Sequence, residues 1–234
     1  MGIVVNAAVI LSGGTGKRIG GDIPKQYIKV RDRMVIEYCL DRFFGTPDGP
    51  VVSALVIVAA EEWHDRIRAS IGDRPEFIGF ADPGETRQLS ILNGLRTLKG
   101  ICSDDDPVMI HDAARPMVKT SFIRECFDAI GGHDGVMPVL PMKDTVYLSH
   151  DGNKVDSLLD RSEIFAGQAP EVFRFGKYLK ACEDLLPDEI LKINGSTEPA
   201  IKAGMDIAMI PGDEGNFKIT TKADLERFCE IISG

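Results

Sequence analysis

The chain has 234 residues, a formal net charge of −9 and a hydrophobic fraction of 44%. This length and composition suit one large α/β domain, or two small ones, with a sizeable core. The acidic balance disfavours nonspecific binding to nucleic acid or membranes, so a polyanionic substrate would need a local cluster of cations. Apolar stretches fall short of membrane-spanning length and no basic region precedes an apolar one at the N-terminus. We therefore expect a cytoplasmic protein.

Strand-like and helix-like segments alternate along the chain. Strands are predicted over residues 3–11, 54–60, 76–80, 107–110, 136–140 and 206–210. Helices are predicted over residues 35–44, 61–71, 86–98, 121–130, 178–185 and 222–232. Continuous apolar strands separated by helices indicate an α/β fold with a mostly parallel sheet covered on both faces. No repeat or linker divides the chain, so we predict a single domain over residues 1–234.

The alternation stops between residues 143 and 173. Residues 144–149 and 154–159 flank a turn at Asp151-Gly152, which predicts a β-hairpin. This hairpin is either an arm that contacts a second subunit or a simple surface flap.

The five cysteines are scattered and lack C-x-x-C spacing; they are Cys39, Cys102, Cys126, Cys182 and Cys229. This pattern indicates buried thiols in a reducing compartment rather than zinc ligands or a disulfide framework.

The first predicted strand runs directly into Leu11-Ser-Gly-Gly-Thr-Gly-Lys-Arg18, and Pro24-Lys-Gln-Tyr27 follows. Glycines allow backbone N–H groups to close on a phosphate chain, and Lys17, Arg18 and Lys25 supply cations. The pattern indicates a nucleoside triphosphate site. The alternative is a glycine-rich surface turn with solvated cations.

This loop does not match the two commonest nucleotide-binding motifs. A P-loop needs Ser or Thr after its Gly-Lys pair, but Arg18 follows Lys17 here. A dinucleotide fingerprint needs a third glycine three residues after Gly16, but the chain has it at Gly20, one place late.

Polar residues also follow the strand predicted at 107–110, in the segment His111-Asp-Ala-Ala-Arg115-Pro. Ligands of open α/β sheets bind at the carboxyl ends of strands. Asp112 can hold Mg²⁺ or a substrate hydroxyl there, and Arg115 can pair with a phosphate. The alternative is an Asp–Arg pair that closes the loop after the strand. We interpret His111 as a structural histidine rather than a base.

Two further segments place polar side chains near predicted helix starts. Gly84-Glu-Thr-Arg87-Gln-Leu-Ser90 opens a helix whose N-cap is Thr86, and helix N-termini attract anions. Arg87 and Ser90 are otherwise only the polar face of that helix. Lys218, in a polar turn, either points inward or extends to solvent.

Taken in order, these segments are recognisable as a set, together with Lys143-Asp-Thr145 and Gly167-Gln-Ala-Pro-Glu-Val-Phe173. From about residue 5 to residue 228, the chain resembles the family of 2-C-methyl-D-erythritol 4-phosphate cytidylyltransferases, which includes the ribitol-5-phosphate cytidylyltransferases. The resemblance implies a Rossmann-like nucleotidyltransferase domain with a protruding β-arm at about 143–173 and a homodimer formed through that arm. It also implies transfer of CMP from CTP to a polyol phosphate, release of pyrophosphate, and a requirement for Mg²⁺ or another divalent cation.

The resemblance also assigns residues to roles. Those implied in catalysis are Arg18, Lys25 and Lys218. Those implied in nucleotide binding are Leu11, Ser12, Gly13, Gly14, Thr15, Gly16, Gly84, Arg87, Ser90 and Ala113. Those implied in acceptor binding are Asp112, Arg115, Thr145, Arg161 and Lys218, with Asp112 also a candidate metal ligand.

The chain departs from the family pattern on the acceptor side. The usual Gln-Thr-Pro-Gln is Gln168-Ala-Pro-Glu171 here, and Gly195-Ser-Thr-Glu-Pro199 occupies the region of a usual Thr-Asp pair. The first change removes a hydroxyl and adds a negative charge. The favoured acceptor is 2-C-methyl-D-erythritol 4-phosphate, with ribitol 5-phosphate or another polyol or phosphonate as the alternative.

Three other functions stay open. One is a nucleotidyltransferase that uses another nucleotide or a sugar 1-phosphate. Another is a nicotinamide-dependent oxidoreductase, but such an enzyme needs a regular glycine spacing and an acidic residue at the end of its second strand, and this chain has neither. The third is a catalytically inactive nucleotide-binding regulator, which would not need Arg18, Lys25, Asp112 and Lys218 together.

Overall fold

A sheet of eight strands organises the computed structural model, which describes residues 4–15, 23–45 and 49–234. The strands, including two short pairs outside that sheet, are β1 (Ala7–Leu11), β2 (Lys29–Val30), β3 (Arg33–Met34), β4 (Ala54–Val58), β5 (Phe77–Ala81), β6 (Pro107–Asp112), β7 (Gly135–Pro141), β8 (Val146–Leu148), β9 (Ser157–Leu159), β10 (Phe165–Gly167), β11 (Glu171–Arg174) and β12 (Ile207–Pro211). The helices are α1 (Val35–Phe44), α2 (His64–Ile71), α3 (Arg87–Thr97), α4 (Thr120–Asp128), α5 (Phe175–Glu183), α6 (Glu198–Lys202) and α7 (Lys222–Ser233).

Most of the sheet is parallel, as predicted. Strand β1 pairs in parallel with β4 and β6, and β4 pairs in parallel with β5. Strand β11 runs antiparallel between β6 and β7, and β12 pairs with β7 in parallel. Strand β10 is also antiparallel to β7. Neither β10 nor β11 was predicted, because both begin within 143–173, where the strand–helix alternation stops.

Helices cover both faces of the sheet. Alternate residues of β1 enter two separate clusters: Ala8 and Ile10 pack with α1, α2 and α4, whereas Ala7 and Val9 pack with α3 and α5. Successive strand side chains point to opposite faces, so an apolar strand buried on both sides needs two helical layers. The predicted α/β class is confirmed.

Two helix starts near the sheet's carboxyl edge are fixed by side-chain caps. The N–H of Leu89 donates to Thr86 Oγ1 at 3.2 Å, as the N-cap prediction required. At α7, Asp224 N–H donates to Thr221 Oγ1 at 3.2 Å, while Thr221 N–H donates to Asp224 Oδ2 at 2.8 Å. These caps fix where α3 and α7 begin, and so the segments that bear Arg87 and Lys218.

The predicted hairpin is present. Strands β8 and β9 pair antiparallel, with Val146 opposite Leu159 and Leu148 opposite Ser157. We call residues 143–173 the β-arm. It exposes apolar side chains, among them Val155 at 62% and Leu158 at 64%.

All five cysteines are unpaired, and Cys39, Cys126 and Cys182 are buried. The expectation of burial is wrong for Cys102 and Cys229, which are half-buried.

Within the described part of the chain, no helix has both the length and the apolar character needed to cross a membrane.

The contact between α3 and β1 leaves no room for a side chain at Gly94. A Cβ there would lie 2.4 Å from Cγ1 of Val9 and 3.2 Å from Cγ2 of Val58. Overpacking costs about 1–3 kcal/mol, while alanine gains about 1 kcal/mol over glycine in a helix. The net of these two effects is about 0–2 kcal/mol, and the 2.4 Å approach to Val9 places Gly94→Ala in the upper half of that range. We therefore expect the variant to lower the free energy of unfolding by about 1–2 kcal/mol in urea titrations. Gly132→Ala, with nothing within 4 Å of its Cβ, is the control and should change it by less than about 0.5 kcal/mol. Equal values for both variants would contradict the packing argument.

Candidate functional site

A cavity of about 440 Å³ opens at the carboxyl ends of β1 and β6. These ends are adjacent, because Leu11 pairs with Asp112 in the parallel register. The predicted site residues that line the cavity are Leu11, Gly13, Gly14, Thr15, Lys25, Gly84, Arg87, Ser90, Asp112 and Lys218. Gly16 and Arg18 lie outside the described residues, so their predicted roles stay predictions.

The glycine loop is held in place by the Pro24-Lys-Gln-Tyr27 segment. Gln26 Nε2 donates to the carbonyls of Ser12 at 2.6 Å and Gly14 at 2.8 Å. Tyr27 accepts from Ser12 Oγ and donates to the Ser12 carbonyl, both at 2.9 Å, and its ring stacks on Trp63 at 3.9 Å. Burial raises the pKa of Tyr27 to about 12, so the phenol stays neutral and remains a donor. Ser12 therefore faces Tyr27 rather than the cavity. Sequence reasoning singled out the motif but missed these two positioning residues.

Two of the predicted glycines are required by packing. A Cβ on Gly13 would lie 2.6 Å from Cβ of Pro83, and one on Gly84 would lie 2.3 Å from Cβ of Leu89. Gly14, by contrast, has nothing within 4 Å and is open to the cavity. The loop thus combines close packing at Gly13 with an exposed backbone at Gly14.

Asp112 is the electrostatic centre of the cavity wall. Its Oδ2 accepts from Lys218 Nζ at 3.0 Å, and its Oδ1 accepts from Nε and Nη2 of Arg87, both at 3.3 Å. Arg115 Nε lies 3.6 Å from Oδ2. Burial alone would raise the pKa of Asp112, but these three cations hold it well below its usual range. The carboxylate is therefore ionised and orients the cations.

Lys25 and Lys218 reach the cavity from different segments. Lys25 Nζ donates to the carbonyl of Ile219 at 2.5 Å, which ties the glycine-loop side to the turn that bears Lys218. Ile219 N–H in turn donates to the Ala114 carbonyl at 2.8 Å, just beyond β6. The hypothesis that Lys218 points inward is therefore supported by its contact with Asp112.

Arg115 is turned away from the cavity in this structure. Its Nη1 donates to the carbonyl of Asn216 at 2.8 Å, and Asn216 is fully buried with its Nδ2 on the Ala169 carbonyl at 2.7 Å. Arg115 thus fixes the turn before Lys218, which matches the Asp–Arg alternative, and its acceptor contact stays a prediction. Ala113 is fully buried as well and does not line the cavity.

His111 fits the structural interpretation. Its side chain is fully buried against Phe43, with ring centroids 5.4 Å apart. Burial lowers the pKa of His111 to about 4, so the ring is neutral at pH 7.

The predicted acceptor residues of the β-arm lie elsewhere. Thr145 and Arg161 line a separate, shallow hollow together with Leu158. Arg161 Nη1 donates to the carbonyl of Lys143 at 2.8 Å. Within one chain these two residues do not join the main cavity.

The described residues do not fit a magnesium site built by protein alone. Among residues 4–15, 23–45 and 49–234, no group of three or more His, Cys, Asp or Glu could hold a metal ion. Asp112 is already surrounded by Arg87, Arg115 and Lys218, which would repel a divalent cation. Its predicted role as a metal ligand is not supported by these contacts.

Comparison with known proteins agrees with this geometry. The family model described as "IspD: 2-C-methyl-D-erythritol 4-phosphate cytidylyltransferase" matches residues 6–233. A 2-C-methyl-D-erythritol 4-phosphate cytidylyltransferase of Rubrobacter xylanophilus is 34% identical over 224 residues, covering 93% of this chain and 90% of the relative. The bifunctional enzyme IspD/IspF of Paramagnetospirillum magneticum is 34% identical over 97% of this chain, but the match covers 56% of that protein. The chain thus spans about half the length of such bifunctional relatives.

Solved structures share the fold. A 4-diphosphocytidyl-2C-methyl-D-erythritol synthase from Anaerococcus prevotii superposes with a TM-score of 0.83, covering 99% of this chain and 97% of that chain at 22% identity. The 2-C-methyl-D-erythritol 4-phosphate cytidylyltransferase of Francisella tularensis gives a TM-score of 0.78 over 95% of this chain and 98% of that chain, at 26% identity.

Proposed function

The chain belongs to the 2-C-methyl-D-erythritol 4-phosphate cytidylyltransferase family, and on that premise we propose that it transfers CMP from CTP to 2-C-methyl-D-erythritol 4-phosphate in isoprenoid biosynthesis. The observation that carries the proposal is the convergence of Lys25, Arg87 and Lys218 on a cavity edged by the glycine loop. Two anionic substrates need such a cluster, because the chain as a whole is acidic. The names of the matching family and relatives favour this acceptor over ribitol 5-phosphate.

In the proposed reaction an oxygen of the acceptor phosphate attacks the α-phosphorus of CTP. A new phosphorus–oxygen bond forms, the bond between the α-phosphorus and the bridging oxygen to the β-phosphate breaks, and pyrophosphate leaves with that electron pair. The attacking oxygen is already ionised, so no general base is needed. Lys25 and Lys218 lower the repulsion between the reactants and stabilise charge on the transferring phosphate. Arg18, by its motif position, belongs to the same group.

We propose that the reaction needs a divalent cation, Mg²⁺, whose charge would offset part of the negative charge of the triphosphate. The unpaired cysteines suit a reducing compartment, so we place the reaction in the cytoplasm.

The function is tested by pyrophosphate release with Mg²⁺. CTP, UTP, ATP and GTP are each offered with 2-C-methyl-D-erythritol 4-phosphate and, in parallel, with ribitol 5-phosphate. We expect release only with CTP and the methylerythritol compound. Release with ribitol 5-phosphate alone would move the chain to the other acceptor. CTP binding without release on either acceptor would contradict both, and reduction of NAD⁺ or NADP⁺ would favour an oxidoreductase.

We also propose that two copies pair through the β-arm to complete each site. Thr145 and Arg161 lie away from the main cavity of their own chain, and the arm exposes apolar residues such as Leu158. An arm from a second copy would bury that surface and bring Arg161 to the acceptor phosphate.

Complementation between two inactive variants tests this shared site. We expect Arg161→Ala and Lys25→Met each to have little activity, and their co-expressed, differently tagged hybrid to recover part of it. The hybrid has one site with both native residues only if each site draws Arg161 from the opposite copy. Hybrids with no more activity than either parent would contradict the shared site.

A further inference from the structure

A buried carboxylate lies behind the cavity wall and is not among its lining residues. Glu171 begins β11, next to Ile110 of β6, and is 8% exposed. Ser196 Oγ lies 2.6 Å from both of its oxygens, and Thr197 Oγ1 lies 3.4 Å from Oε1. Burial raises the pKa of Glu171, whereas the charge of Arg87 and the hydroxyls of Ser196 and Thr197 act to lower it, so the ionised form depends on these partners. The two departures from the family pattern, at 168–171 and 195–199, therefore contact each other.

The hydroxyl of Ser196 joins this carboxylate to Arg87. The hydroxyl has one proton, which it donates to Glu171, and it accepts from Arg87 Nη1 at 2.9 Å. A guanidinium can only donate, so Ser196 Oγ accepts from Arg87 and its single proton is left for a Glu171 oxygen. The hydrogen bonds consequently run in one direction, from Arg87 through Ser196 to Glu171.

Ser196 is itself held in place. Tyr178 Oη donates to its carbonyl at 2.6 Å, and the fully buried Tyr178 ring stacks on Phe173 at 4.0 Å. Ser196 is 2% exposed. Its hydroxyl is thereby preorganised to bridge the two charged groups.

Arg87 therefore lies between two acids. Its Nε and Nη2 face Asp112 Oδ1, whereas its Nη1 faces Ser196. Burial alone would lower the pKa of Arg87, but the charges of Asp112 and Glu171 raise it. With its donors held at both ends, the guanidinium has one orientation at the cavity wall.

We propose that Glu171 is a positioning residue that acts through Ser196 to hold Arg87 in the orientation that binds CTP. The identity of the ligand rests on the proposed function; the link from Glu171 to Arg87 does not. A purely structural Glu171 would change stability without changing the environment of Arg87.

The test uses three single variants of the full chain and the double variant Glu171→Gln/Ser196→Ala. Glu171→Gln removes the charge but keeps the shape, and Ser196→Ala removes the bridge. Thr197→Val is the matched control, because its hydroxyl contacts the same carboxylate without a hydrogen bond to Arg87. CTP dissociation constants are measured by calorimetry, and the Arg87 Nε–H signal, assigned with Arg87→Lys, is followed by ¹⁵N NMR.

We expect the CTP dissociation constant to rise about tenfold in Ser196→Ala, which removes the bridge. The rise should be smaller in Glu171→Gln, because the amide oxygen still accepts from Ser196 but no longer carries the charge that attracts Arg87. The double variant should be no worse than Ser196→Ala alone, because both changes act on one link. The Arg87 signal should broaden in both variants and stay sharp in Thr197→Val. A wild-type Arg87 signal and wild-type CTP affinity in Glu171→Gln and Ser196→Ala would overturn the inference. If the native chain failed to bind CTP, the proposed function would fall, and the NMR signal alone would uphold or overturn the link to Arg87.

Discussion

Lys25→Met is expected to lower the rate of pyrophosphate release about 10²–10³-fold, because one preorganised cation is removed from the transferring phosphate. The apolar stem of the side chain is kept, so the packing near the glycine loop changes little. The substitution also removes the hydrogen bond from Lys25 Nζ to the Ile219 carbonyl at the cavity edge. We expect the free energy of unfolding to fall by about 1 kcal/mol. Steady-state kinetics and urea titration measure the two quantities separately.

Lys29→Met is the matched control for this variant. Lys29 lies four residues along the chain, is exposed, and does not line the cavity. The same substitution there should leave the rate within about twofold of the native rate. A Lys25→Met enzyme within about threefold of native activity would remove Lys25 from the catalytic group.

The parts of this fold that local pattern determines were predicted well. Helix α1 was predicted at residues 35–44 and is found there, ending before Gly45, and Thr86 caps α3. Strand β11 could not be predicted in the same way. Its pairing with β6 and β7 joins residues distant in sequence, and its four residues carry no alternation of their own.

The candidate site shows the same division. The glycine loop, Lys25, Asp112 and Lys218 each follow a strand or a turn that the sequence marks, and the cavity brings them together. The residues that position this loop and the turn before Lys218 could not be predicted from the local sequence. Gln26 and Tyr27 act on carbonyls of the glycine loop, and Arg115 acts on the Asn216 carbonyl, so their targets are apparent only in the folded chain.

The pairing of Asp112 with three cations predicts a large loss of stability in Asp112→Asn. The amide would leave Arg87, Arg115 and Lys218 facing one another without a negative charge at their centre. Removing one partner from a buried ion cluster costs about 3–5 kcal/mol. We expect a decrease of that order in the free energy of unfolding at pH 7, measured by urea titration. Asp128→Asn, at an exposed position on α4, is the control and should change it by less than about 0.5 kcal/mol.

The pH dependence of the unfolding free energy, compared between the native protein and Asp112→Asn, tests whether Asp112 is charged in the folded chain. Burial alone would raise the pKa of Asp112, but the cations lower it well below its usual range in the folded chain. The unfolded chain therefore binds this proton first, and the stabilising contribution of Asp112 is complete above an ordinary aspartate pKa of about 4 and is lost as the pH falls toward the folded value. The gap in unfolding free energy between the native protein and Asp112→Asn should thus stay constant from about pH 6 to pH 8 and narrow below about pH 4. A gap that widened on acidification would mean that Asp112 is protonated in the folded chain, and the orientation of Arg87 and Lys218 would then need another anion.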